Sequence, residues 1–221
     1  MPKGRLGKKL SYVALLVRRG GLGVLSRQLL SRACSASTYV WLGKDIDPRR
    51  LPGDAKPAFP LRPASPEDFR KLLSRLNEQK GQDVFEVLRR VSFFERGFDA
   101  CYIVDTDSGD VCHFGWLLSA RHNGLIRSEY PLGTDPLKED EALVENIFTF
   151  PRYRGKGVMR SVLQQMEDMA GKMGCRRIVA YVDMTNIPSL TGFDRSGYKP
   201  YADEKEVRRF FKVKRTGRIG R

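Results

Sequence analysis

Phe150-Pro151-Arg152-Tyr153-Arg154-Gly155-Lys156-Gly157-Val158-Met159-Arg160 joins two segments of different periodicity. Before it, the apolar run Leu143 to Phe150 reads as a buried strand. After it, Val158, Met159, Val162, Leu163, Met166, Met169 and Met173 recur at helical spacing. A glycine-rich turn from strand to helix is an anion-binding device. Glycine lets a ligand approach the backbone, and the first helical N–H groups have no internal partners. The aligned peptide dipoles add partial positive charge at the same end. The turn is therefore built to hold phosphate. It is not the nucleotide P-loop, in which Gly-Lys precedes Ser or Thr, because Gly157 follows Lys156. Nor is it GxGxxG, because the third residue after Gly157 is Arg160.

Arg154-Gly155-Lys156-Gly157-Val158-Met159 resembles the acyl-CoA signature of the GNAT acetyltransferase superfamily, Arg/Gln-x-x-Gly-x-Gly/Ala. Met159 departs from the small residue of the sixth position. Other segments are similar in the family's order. Phe59 to Phe69 looks like its first strand and first helix cap; on physical grounds alone, Ser65 suits an N-cap and Pro66 a first helical position. Tyr102–Val104 and His113–Leu118 flank the turn Thr106–Asp110 as a hairpin. Arg177–Val182 is a β-rich run leading to Asn186-Ile187-Pro188-Ser189 and then Phe193 to Tyr198, similar to the family's closing pattern. The resemblance implies an α+β (α/β GNAT-like) fold. Its central mixed, mostly antiparallel sheet splays between the family's strands 4 and 5, with flanking helices. It covers residues 57–214. Residues 1–50 read as a basic helical extension with a short strand at Thr38–Leu42, 51–56 as a linker and 215–221 as a basic tail. Helices are expected over 66–79 and 82–95, and a loop-rich interval over 119–138.

Acyl transfer from acetyl-CoA or another acyl-CoA to a primary amine is the activity the resemblance implies. Carried over residue by residue, Ile147, Phe148 and Thr149 lie nearest the pantetheine arm. Arg154, Gly155, Lys156, Gly157, Val158, Met159 and Arg160 take the pyrophosphate, and Asn186 touches the arm from the other side. Glu145 sits on the strand that carries a catalytic glutamate in some members. It reads equally as the end of a solvated charge run with Glu139, Asp140 and Glu141. His113 reads as a structural strand residue rather than a base. Phe193 stands where many members place the tyrosine that protonates the leaving thiolate, and Tyr198 reads as core. The runner-up is a non-catalytic acyl-CoA-binding module, docked through its basic ends to membrane, nucleic acid or a protein partner.

Net charge is +14 over 221 residues, but residues 1–50 carry +9 and 208–221 carry +7, leaving −2 for the body between. The basicity belongs to a partner surface rather than to the site. Residues 6–33 read as two basic amphipathic helices broken at Gly20-Gly21. Their leucine faces suit an anionic membrane interface, packing on the domain, or a homodimer contact. No nucleic-acid module is recognisable. Cys34, Cys101, Cys112 and Cys175 have no metal-site spacing, so no metal is expected, and a reduced, cytoplasmic setting fits them. The early apolar run Tyr12 to Val17 is short for a membrane span or a signal-peptide core, so the chain is expected to start near Met1. Acceptors consistent with the reading are small-molecule or glycan amines, among them amino sugars.

Overall fold

The structure, a computed structural model, describes residues 34–47, 57–76, 82–129, 135–209, 212–215 and 219–220. The amphipathic segment 6–33 and the linker 51–56 lie outside the described residues. In chain order the elements are β1 (Cys34–Asp45), β2 (Leu61–Pro63), α1 (Pro66–Ser74), α2 (Gln82–Glu95), β3 (Cys101–Asp105), β4 (Val111–Ser119), α3 (Asn123–Glu129), β5 (Glu141–Thr149), α4 (Val158–Lys172), β6 (Arg177–Asp183), α5 (Ile187–Arg195), β7 (Lys199–Arg209), β8 (Lys212–Arg215) and β9 (Ile219–Gly220). Among the described residues the sheet has nine strands in the order β2-β3-β4-β5-β6-β1-β7-β8, with β9 also on β7. Only β5 and β6 pair parallel. This is the mixed, mostly antiparallel sheet with flanking helices that the resemblance implies.

Local signals account for the early elements. Ser65 caps α1 and forms a capping box with Asp68: Asp68 N–H donates to Ser65 Oγ (3.3 Å), and Ser65 N–H donates to Asp68 Oδ2 (2.7 Å). Pro66 opens the helix, where its missing N–H costs nothing. Arg62, on β2, donates to Asp68 at 2.8 Å and also pairs with Asp105 on β3. The Arg62 guanidinium holds the Asp68 carboxyl well below the usual carboxylate range.

The sheet separates two cores. Trp116, Leu118, Leu143 and Phe148 pack with Phe69 of α1 and with Val84, Leu88 and Val91 of α2. On the other face, Val144, Ile178 and Ala180 pack with Val158, Val162, Leu163 and Met166 of α4 and Phe193 of α5. The buried positions of α4 keep the helical period expected of them, while Met173, at its end, is 48% exposed.

Three expectations change. The helix expected over 66–79 ends at Ser74, with Arg75 as its C-cap. The strand at Thr38–Leu42 is twelve residues long and lies inside the sheet, between β6 and β7. Its ends, Ser35-Ala36-Ser37 and Gly43-Lys44, carry no apolar alternation; ladders to two distant strands extend it. The interval 119–138 is not loop throughout. A 3₁₀ turn at Ala120–His122 runs into α3, and the Asn123 side chain clasps Leu137 by two bonds, N–H to Oδ1 (2.8 Å) and Nδ2 to O (2.9 Å).

Candidate active site

β5 has two different halves. Ala142 to Val144 pair with β4 on one side, and Glu141 to Val144 pair with β6, at Arg177 to Ala180, on the other. Beyond Val144 the pairing with β6 stops, while β4 follows β5 as far as Thr149. The sheet therefore opens between β5 and β6. At the opening β5 carries a bulge. Glu145 lies opposite Trp116 and Phe148 opposite Phe114, leaving Asn146 and Ile147 against Gly115 alone. Asn146 sits at φ 53°, the one described non-glycine residue with positive φ, and its Oδ1 is buried without a hydrogen-bond partner. Backbone strain held in this way marks a segment whose shape matters.

The bulge fixes which peptide groups face the gap. Phe150 N–H donates to Cys112 O (3.0 Å), and Phe148 lies opposite Phe114, so these two face β4. By alternation, Ile147 and Thr149 turn their peptide groups to the gap. Both carbonyls there are held by arginines. Arg90 Nη2 donates to Ile147 O at 3.1 Å, and Arg154 Nε to Thr149 O at 2.9 Å. By the same alternation the N–H groups of Ile147 and Thr149 point to the gap. The Thr149 hydroxyl is tied below the sheet to His113 Nδ1 (2.8 Å).

The turn follows directly. Gly155 (φ 75°) and Gly157 (φ 82°) are both left-handed, a conformation glycine adopts without penalty. A Cβ on either would meet nothing within 4 Å, so the turn is open to solvent on that side. Gly157 caps α4, and its carbonyl accepts from Ser161 N–H (3.1 Å), which leaves the N–H groups of Val158, Met159 and Arg160 without helical partners. Arg152, Arg154, Lys156 and Arg160 are exposed around it. Tyr153 organises two of them: Arg152 lies 4.9 Å and Lys156 5.4 Å from its ring centroid. Met159 has a structural partner that its departure from the signature concealed. A Cβ on Gly192 of α5 would lie 2.5 Å from Met159 Sδ, so the small residue sits on α5 instead of α4.

Glu145 shares a sheet face with Trp116, the face covered by α1 and α2, and is half-buried at the start of the opening. Asn186 is exposed and caps α5, its Oδ1 accepting from Ser189 N–H at 3.3 Å. Phe193 is buried (2% exposed) edge-on to Tyr198, ring centroids 5.0 Å apart, so both are core. His113 is wholly buried, and burial pulls its imidazole down to about 3, so it is neutral at physiological pH. A cavity of about 470 Å³ lies at the far end of β5, lined by Asp45, Lys138, Asp140, Glu141 and Arg176, away from the opening.

Arg90 is the site residue that sequence reasoning missed. It is 3% exposed and lies 4.3 Å from the Phe148 ring centroid. Its Nη1 donates to the Glu86 carboxylate at 2.5 Å. Burial lowers its guanidinium to about 10, offset in part by Glu86, and it remains charged at neutral pH. The available signal was a Glu four residues before an Arg beside the apolar stripe Val84, Val87, Leu88, Val91.

The model of the Acetyltransferase (GNAT) family matches residues 67–198, more than half of the chain. Among solved structures, the chain is similar to a GCN5-related glucosamine N-acetyltransferase region of a fungal multi-domain GH3 β-N-acetylglucosaminidase: TM-score 0.56, 13% identity, 80% of this chain and 22% of that one. It is also similar to a GNAT-family acetyltransferase structure from Novosphingobium aromaticivorans, with TM-score 0.50, 11% identity and coverage of 78% and 64%. A third, a conserved protein from Staphylococcus epidermidis described as functionally unknown, has TM-score 0.53, 7% identity and coverage of 83% and 66%. At such identities the likeness concerns the fold, and the chain spans less than two thirds of the Novosphingobium protein's length. No curated protein matches by sequence. Because the family match runs through the opening of β5, the glycine turn and both helices beside them, the chain belongs to the GNAT acetyltransferase family.

Proposed function

We propose that the protein is an acyl-CoA-dependent N-acyltransferase, with acetyl-CoA as donor and a primary amine as acceptor, working by direct attack in a ternary complex. The observation that carries this is the one-sided half of β5, which leads through a 3₁₀ turn at Pro151–Tyr153 to two left-handed glycines. The turn and the free N–H groups of Val158, Met159 and Arg160 hold the pyrophosphate. The gap-facing N–H groups of Ile147 and Thr149 hold the pantetheine and thioester end, Phe148 lies between them, and Asn186 closes the arm from α5. Gly155 allows close approach, while Arg154, Lys156 and Arg160 supply positive charge.

In the reaction the amine nitrogen bonds to the acyl carbon and the C–S bond breaks, giving an amide and coenzyme A thiol. An ammonium has no lone pair, so the amine must first lose a proton; Glu145, at the mouth of the opening, accepts it directly or through water. Backbone N–H donors stabilise the oxyanion. With Phe193 buried in the core, no side chain is assigned to protonate the thiolate, whose low basicity lets it leave unaided. That same buried Phe193 favours the second reading, an acyl-CoA-binding module without turnover. An amine acceptor accords with the family; a small-molecule or glycan amine is part of the proposal. Membrane or dimer contact through residues 6–33 belongs to the proposal as well, as does a cytoplasmic setting. Among the described residues no helix is long and apolar enough to cross a membrane.

Titration calorimetry with acetyl-CoA, followed by thiol release with amines beginning with glucosamine, tests the proposal. Micromolar binding with amine-dependent thiol release supports it. Binding with no release to any amine selects the second reading, and absence of binding sinks both.

A further inference from the structure

A strand edge left without a neighbour offers carbonyls as well as N–H groups, since each residue sends both to the same side. An uncapped carbonyl beside a developing oxyanion repels it. Along the open edge of β5 this conflict is removed at both gap-facing residues: Arg154 takes Thr149 O, and Arg90 takes Ile147 O. Arg154 is exposed, in the turn. Arg90 comes from the opposite layer, on α2. It is fixed there by Glu86 and by the Phe148 ring, and its Nε is buried without a partner. A buried arginine that spends one Nη on a strand carbonyl, beside a residue at φ 53°, is holding the bulge in shape.

We infer that Arg90 is a positioning residue for the thioester: it caps the Ile147 carbonyl and fixes the bulge, so that the open edge of β5 presents N–H donors to the acyl oxygen. This rests on the acyl-CoA reading above. Arg90 acts through the peptide group of Ile147, not by touching the reacting atoms. A lysine could reach the carbonyl as a point charge but could not grip Glu86 and Ile147 together as the planar fork does.

The test uses the full chain, [1-13C]acetyl-CoA and two variants. In Glu86→Gln/Arg90→Met the ion pair leaves as a unit, so no carboxylate loses its cation; Arg90→Lys keeps the charge. In the wild type, edge donors should move the bound carbonyl resonance downfield of free acetyl-CoA. The double variant should return it toward the free value and speed hydrogen exchange of amides 146–149, while Kd changes less than about threefold, because the pyrophosphate turn is untouched. Arg90→Lys should lie between. Where an amine acceptor turns over, kcat should fall about 100-fold with KM for acetyl-CoA nearly unchanged. If the wild-type carbonyl shift is absent, or persists in both variants, the assignment is overturned while the acyl-CoA reading stands. If the wild type does not bind acetyl-CoA, the reading falls and the assignment with it.

Discussion

The first four residues of β5 and the next five obey different rules, although they form one strand. Glu141 to Val144 are all buried, and from Ala142 onward they have strands on both edges. Glu145 to Thr149 have one neighbour, a bulge, and mostly half-buried side chains. The first half answers to packing. The second keeps polar backbone exposed at a gap, where a side chain, water or a ligand must satisfy it. In the proposed function the missing neighbour leaves donors for the ligand, and each half can be attacked separately.

The largest effect is expected at the end of the open half. Gly157→Glu places an acidic side chain in the turn, at a φ that favours glycine and with no steric obstacle nearby. Acetyl-CoA binding should weaken at least about 100-fold in calorimetry, by charge repulsion and loss of approach, with melting shifted only a few degrees. Unchanged affinity would remove the turn from the site. The paired half should respond in stability instead. Leu143, 3% exposed and packed in the α1–α2 core, should cost about 3 kcal/mol on truncation to alanine, measured by urea unfolding. Acetyl-CoA affinity of the remaining folded protein should be unaltered. Glu145→Gln falls at the junction: turnover should drop about 30-fold with cofactor affinity retained. Equal turnover in wild type and variant would return Glu145 to the charge run at the start of the strand.

Much of this was legible in sequence where the cause is local. Gly155 and Gly157, Ser65 with Pro66, and the periodicity of α4 each need only near neighbours to define them. What failed depends on partners far along the chain. The length of β1 is decided by Arg177–Asp183 and Lys199–Arg209, not by Ser35 or Lys44. The interval 119–138 reads as loop, but a helix starts at Asn123, whose side chain is held by distant Leu137. Met159 looked like a defect in the signature until Gly192 supplied the space. Arg90 draws no reading at all, because nothing in residues 82–95 reports that Ile147 will have a carbonyl for it to bond.

His113 joins the two halves, since it underlies the open end of β5 yet has the burial of a core residue. Its imidazole is held neutral at about 3, against about 6.5 when unfolded. The depressed value fixes the sign. Below about pH 6.5 the unfolded chain binds a proton that the folded chain refuses, so stability is complete above that pH and falls with acid until about pH 3. From this residue the loss should be about 1 kcal/mol between pH 6.5 and 5.5. His122, also lowered by burial, adds in the same direction. The Asp68 carboxyl loses its contribution only at lower pH, outside the window. His113→Asn keeps a group able to meet Thr149 Oγ1 and cannot titrate, so urea midpoints at the two pH values should converge by that amount. Equal pH dependence in wild type and variant would mean that the imidazole reaches solvent, and that the floor beneath Thr149 is as open as the gap beside it.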